Sequence, residues 1–132
     1  MHDKMLSAVA TVEFIVSSEM TARLDGIEIH PVCSTFWMVY YSEVASRRAI
    51  EPFFDNNEDA VGAGIYLTHR AMAAVGATIV VSARVKHVEG HLVSCTIEAR
   101  SKNTNTLLAE GIQNQVVLRT EVIQSKVAKA VR

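Results

Sequence analysis

The 132-residue chain predicts an α+β fold in which one antiparallel β-sheet wraps around one long central α-helix. Three observations lead there: a period-2 apolar segment near the start, a stretch from Ile29 to Ser46 with a single charge, and a strand-like second half from Gly62 to Arg119. Every element has to bury its apolar face, and a sheet folded over a single apolar helix lets each do so.

The first strand is expected within Ala8 to Ser18, where Ala8, Ala10, Val12, Phe14 and Val16 alternate with Thr11 and Glu13. A looser polar connection follows from Glu19 to Glu28, with Asp25-Gly26 as a turn signal, and it could close over a site or merely connect. Pro31 and the hydroxyls of Ser34 and Thr35 announce a helix start, because a hydroxyl at the cap accepts from an amide of the first turn that has no helical partner. From Phe36 to Tyr41 every residue is apolar or aromatic, which predicts a helix covered on most sides, ending near Pro52 ahead of the polar loop 55–59. Four strands then follow: Gly62 to Met72, Thr78 to Val88, His91 to Arg100 and Thr106 to Arg119. The last three form an antiparallel meander, with turns at Glu89-Gly90 and from Ser101 to Asn105. The segment from Thr120 to Arg132 is expected as a loosely patterned helical tail outside the core of about 8–119. One domain over 1–132 is the expectation, since a chain of this length buries roughly two-thirds of its unfolded surface.

Composition narrows the function. Thirteen Lys and Arg nearly balance fourteen Asp and Glu, so the long-range positive field that nucleic acid binding requires is missing. No stretch reads as a membrane span, and the start, Met-His-Asp-Lys-Met, lacks an export pattern. Cys33 and Cys95 are then expected as reduced thiols in a cytoplasm. A lone curved sheet leaves an edge strand open, which predicts a homodimer or a dimer of dimers.

Three residues carry candidate chemistry. Glu43 is the only Asp, Glu, Lys or Arg between Glu28 and Arg47, and an unpaired carboxylate in an apolar helix is costly. An ion pair with Arg47, four residues on, is the ordinary account of it. His69 shares by alternation the face of Ile65, Leu67 and Ala71, the core side of its strand, where a histidine satisfied by backbone is the simpler alternative. Thr35 has capping as its ordinary role, yet it also stands where a helix end presents free amides. It is about 12 Å along the helix from Glu43, far enough for a substrate carbonyl to lie between them. His30 and Cys33 have a metal-like interval but no second ligand pair in the sequence, so no metal site is expected. Gly62 and Gly64 follow the helix and make no dinucleotide fingerprint.

The intervals are specific. In "STFWMVYYSE" a Thr precedes a Glu by eight, and in "GAGIYLTHRAMAAVG" a His follows that Glu by 26. Over about Val32 to Leu118 this resembles the fluoroacetyl-CoA thioesterase family of hotdog-fold proteins. The resemblance implies hydrolysis of a small acyl-coenzyme A thioester, with coenzyme A part of the substrate and no separate cofactor. It implies Thr35 as a hydrogen-bond donor to the thioester or a nucleophile, Glu43 as nucleophile or general base, and His69 as proton shuttle. The Gly62 amide matches a position that helps hold the substrate carbonyl, and Phe36, Ile29, Gln113 and Gln115 fall at substrate-binding positions. Arg47 and Arg70 are candidates for the coenzyme A phosphates.

Two departures shape the expectation about the acyl group. Gly26 and Ile29 fall where the family carries an aromatic lid, and "GIQNQ" stands where relatives often read Gly-x-His-x-Arg. An acyl group other than fluoroacetyl follows from the first. The second keeps open a non-catalytic acyl-CoA binding or sensing protein. A hotdog hydratase would need an Asp and His pair on a helix, which this sequence does not show.

Overall fold

The computed structural model describes residues 2–132. Val9–Ile15 (β1) alternates as its sequence dictates, turning Val12 and Phe14 inward. The stretch expected as an irregular connection instead folds as a hairpin of Thr21–Leu24 (β2) and Ile27–Cys33 (β3). Asp25 and Gly26 close it at φ 51° and 76°, the left-handed pair that a two-residue hairpin turn requires. Its strands are hard to read in sequence because β3 runs through Pro31 straight into the helix, and most of its residues are exposed, so no buried period marks it.

Thr35–Ile50 (α1) follows, with Pro52 in a short 3-10 turn over Glu51–Phe53. Then come Glu58–His69 (β4), Thr78–Glu89 (β5), Leu92–Ser101 (β6), Leu107–Arg119 (β7) and the tail helix Thr120–Ala128 (α2). The three meander strands lie within a residue of their expected bounds. β4 starts four residues before Gly62 and stops at His69. Strands in the order β1-β5-β6-β7-β4 make one antiparallel sheet, and β2-β3 stand apart as a second.

α1 lies on one face of the five-stranded sheet. Its inner side is Met38, Ser42, Ala45, Ser46, Ala49 and Ile50, all buried, and the four small residues allow the helix axis to sit close to the strands. Below it are Ile79, Val81, Ala83 and Val85 of β5 and Val93, Cys95, Ile97 and Ala99 of β6, every second residue as a half-buried strand demands. Phe14 stacks on Tyr41 at 4.1 Å and closes the β1 side.

The expectation of a helix covered on most sides is corrected here. Phe36 is 64% and Tyr40 49% exposed, so in one chain α1 is wrapped on a single side and its other face is open. On the same flank β4 is an edge strand, and Val61 to Tyr66 are exposed whichever way they point.

β4 and β7 approach so closely at Gly111 that any side chain there would overlap the Tyr66 carbonyl oxygen. Gly111→Ala should therefore lower stability by about 1–3 kcal/mol, as overpacking does, and the thermal midpoint by several degrees. A midpoint equal to that of the parent protein would contradict this close approach.

Candidate active site

Ser34, not Thr35, caps α1: its Oγ accepts from the Phe36 amide at 3.1 Å. The start of the helix is pinned by Cys33 N donating to Ala73 O, Ser34 N donating to Met20 O, and a bridge between Val32 and Ala74. With capping done by its neighbour, the Thr35 hydroxyl is free to meet His69 at the end of β4, Oγ1 to Nδ1 at 2.9 Å. Of the residues expected to share its face, Leu67 and Ala71 pack against the core, whereas Ile65 is exposed on the edge of β4 and Ala71 lies beyond the end of the strand.

The other ring nitrogen, His69 Nε2, is buried and has no hydrogen-bond partner among the described residues. An unmet acceptor lone pair is tolerated inside proteins better than an unmet N–H. The contact with Thr35 Oγ1 is the one side-chain hydrogen bond of the imidazole among the described residues, and its Nε2 is left for a further partner.

Glu43 is two helical turns further on and on a different flank. It makes no ion pair with Arg47, which corrects the ordinary account of it. Arg47 instead bonds Asp59 at 2.6 Å, the Ala60 carbonyl at 3.2 Å and Glu51 at 3.4 Å, and lies over the Phe54 ring. Hydrogen bonds from the Ala60 amide and from Arg47 hold the Asp59 carboxyl below its usual range. Glu43 is exposed and packs over Gly62, where a Cβ would lie 2.7 Å from its Oε1. The missing side chain is thus the seat of the carboxylate. At the same point the β4–β7 register shifts and Ala63 has no cross-strand partner, the mark of a β-bulge.

Two cavities divide these groups. One, of about 330 Å³, holds Thr35 and His69 with Ala22, His30, Val32, Cys33, Arg70, Ala71 and Met72. A groove of about 310 Å³ on the open face of α1 holds Phe36, Val39, Tyr40, Glu43, Val44 and Arg47. A depression of about 660 Å³, larger than either, is on the outer face of the sheet and contains neither Thr35 nor Glu43, so size is no guide to the chemistry. Within one chain Thr35 and His69 are joined, and Glu43 stands apart from them beside Gly62.

The remaining candidates separate. Phe36 lines the Glu43 groove, whereas Ile29 is exposed on β3 and lines neither cavity. Gln113 and Gln115 are turned into the core at 1% and 2% exposure, with Gln115 Nε2 donating to Gln113 Oε1 at 2.9 Å. Arg70 gives Nε to Glu110 at 3.0 Å. Sequence reasoning passed over Tyr40, although it precedes Glu43 by three residues on one helix face. It also gave no ligand role to Ala22, His30 or Met72, because β2–β3 had not been recognised as a hairpin.

Residues 16–121 match the family model described as fluoroacetyl-CoA-specific thioesterase. A fluoroacetyl-CoA thioesterase of Streptantibioticus cattleyicolor is 28% identical over 123 residues, which is 89% of this chain and 87% of that protein. Among solved structures, a Thermus thermophilus hypothetical protein described as a thioesterase superfamily member superposes with a TM-score of 0.90 at 31% identity, covering 94% of this chain and 90% of that one. The fluoroacetyl-CoA thioesterase FlK does so with a TM-score of 0.84 at 26% identity, covering 96% and 97%.

Cys33 stands in the cavity wall but is 1% exposed, and burial pushes its thiol up to about 11. Burial raises the Cys95 thiol too. A raised thiol stays protonated, so at pH 8 neither should react with Ellman's reagent until the protein is unfolded. Rapid labelling of the folded protein would show that these sulfurs are reached by solvent.

Proposed function

This chain belongs to the fluoroacetyl-CoA-specific thioesterase family and is a thioester hydrolase of acyl-coenzyme A, and we propose that Thr35, Glu43 and His69 are its catalytic residues. The observation that carries the proposal is the 2.9 Å bond between His69 and a Thr35 hydroxyl that capping does not use, with a carboxylate that has no ion pair among the described residues two turns along the same helix.

The donor His69 Nδ1–H fixes Thr35 so that its own proton points at the thioester carbonyl oxygen. Glu43 takes a proton from a water molecule, and the water oxygen bonds to the carbonyl carbon. The charge passes to the carbonyl oxygen, where the Thr35 O–H and the amide of Ala63, which the bulge leaves without a cross-strand partner, stabilise it. Since Thr35 and Glu43 line separate cavities of one chain, they act on one carbonyl where a second copy sets the cavity of one chain against the Glu43 groove of the other. Collapse breaks the carbon–sulfur bond and expels the coenzyme A thiolate. A thiol with a pKa near the roughly 8.5 of cysteine leaves readily, so positioning and oxyanion stabilisation are the larger tasks. The proton held by Glu43 returns to solvent or to the thiolate. No cofactor beyond the coenzyme A of the substrate enters these steps. Gly26 in the hairpin turn and Ile29 exposed beside it support an acyl group other than fluoroacetyl.

The same reading makes the protein a homodimer. β4 is an edge strand with exposed Val61, Ile65 and Tyr66, and Phe36 and Tyr40 leave the neighbouring face of α1 uncovered. A second copy set against both would cover them and enclose the Glu43 groove. Among the described residues no helix is long and apolar enough to cross a membrane. The two unpaired, buried cysteines suit a reducing cytoplasm, where we place the enzyme.

With a panel of short, branched and aromatic acyl-CoAs, release of free thiol is expected for at least one, and to persist after EDTA treatment. Glu43→Gln and His69→Ala should each lower kcat by at least about a hundredfold. No turnover of any panel member would refute the function, and full activity in either variant would remove that residue from the mechanism. Single turnover in H2(18)O should leave the Glu43 side chain unlabelled; label there would make it the nucleophile. Light scattering should give twice the 14.5 kDa chain mass, or a higher even multiple, and a monomer would overturn the dimer.

A further inference from the structure

We infer that Arg47 and Asp59 form a clasp between α1 and β4 that holds the Glu43 carboxylate at Gly62, so that both are positioning residues for the hydrolysis and Arg47 is withdrawn from the coenzyme A phosphates; this rests on the thioesterase reading above. Glu43 has no hydrogen bond or ion pair among the described residues, yet its Oε1 lies where a Cβ on Gly62 would be only 2.7 Å away. With no bond of its own, the carboxylate is placed by the helix that carries it, and so by the spacing between helix and strand.

Among the described residues, side-chain hydrogen bonds join α1 to β4 at two places. Thr35 meets His69 at the start of the helix, and Arg47, beyond Glu43, reaches the beginning of the strand. Because the two elements run antiparallel, these bonds bracket the approach of Glu43 to Gly62 from either side. Arg47 is about 6 Å past Glu43 along the helix, and Asp59 and Ala60 precede Gly62 by about 7–10 Å of strand.

The clasp fixes direction more than it adds stability. Nη2 of Arg47 donates to Asp59 Oδ1 at 2.6 Å, Nη1 donates to the Ala60 carbonyl at 3.2 Å, and Nε lies 3.4 Å from Glu51. The same Asp59 oxygen accepts from the Ala60 amide at 2.8 Å, which anchors the carboxylate to the strand it ties down. Under the guanidinium, at 5.8 Å, is the ring of Phe54, itself packed against the core. The side chains of Arg47 and Asp59 are 43% and 44% exposed, and so open a pair contributes little to stability, whereas a planar fork held by several acceptors has one orientation. Two carboxylates beside Arg47 also offset the charge that a phosphate would need.

The test measures kcat and KM of Arg47→Ala, Asp59→Ala and the double variant, with the best acyl-CoA of the panel and with the same acyl group on pantetheine, which has no phosphates. Each single variant should lower kcat by about ten- to a hundredfold with KM within about twofold, equally on both thioesters, because a shift of about 1 Å in a catalytic group costs on that scale. The double variant should lose no more than the larger single loss, since the pair acts as one unit. Arg47→Lys and Asp59→Asn should each keep part of the rate. Light scattering and the thermal midpoint of the same samples should match the parent; if kcat falls only in step with the folded dimer, the pair is structural and the inference fails. A higher KM for the acyl-CoA alone, at parent kcat, would make Arg47 a phosphate ligand and overturn it. Parent-like kinetics in both single variants, or single losses that multiply in the double, would also overturn it while the thioesterase reading stands. If the parent protein hydrolyses no member of the panel, both fall.

Discussion

β4 is held to the rest of the sheet by β7, through a ladder that runs from Glu58 opposite Arg119 to His69 opposite Ala109. That ladder decides where the chemistry can occur. α1 runs antiparallel to β4, so the start of the helix meets the end of the strand at Thr35 and His69, and Glu43 meets Gly62 further back. The register shift beside Gly62 and the bare Cα of Gly111 are both places where the two strands need something a regular ladder would not give. A displacement of β4 by one residue would reverse its faces and turn His69 away from Thr35.

Much of this was legible in the sequence. The meander and the long apolar helix follow from period and turn chemistry alone, and their ends were found to within a residue or two. The hairpin β2–β3 was not legible, because it buries little and its residues show no inward and outward alternation. The open face of α1 was misjudged for a related reason: Phe36 and Tyr40 are apolar enough for a core, and composition does not say which chain covers them.

The site was legible in part. The intervals among Thr35, Glu43 and His69 point to α1 and β4, where the fold joins Thr35 to His69 and seats Glu43 over Gly62, but which partner each takes depended on geometry. Only the Ser34 cap shows that Thr35 is free, and only the fold shows that its hydroxyl meets His69 Nδ1. Arg47 looked like the natural partner of Glu43, yet it is drawn to Asp59 on β4 instead, and the carboxylate remains available. Gln113 and Gln115, polar and suggestive in sequence, are turned into the core, where Gln115 donates to Gln113 and Gln113 to the Asn114 carbonyl. Spacing identifies residues that could meet; it does not say which competing partner each will choose.

The adjacent hydroxyls of Ser34 and Thr35 separate two obligations that one residue often has to share. Helix α1 begins because of Ser34, and whatever Thr35 does for the substrate adds nothing to that start. The consequence is evolutionary freedom: Thr35 can be exchanged for another side chain without removing the hydroxyl that starts the helix, so selection acting on position 35 does not first have to repair the scaffold.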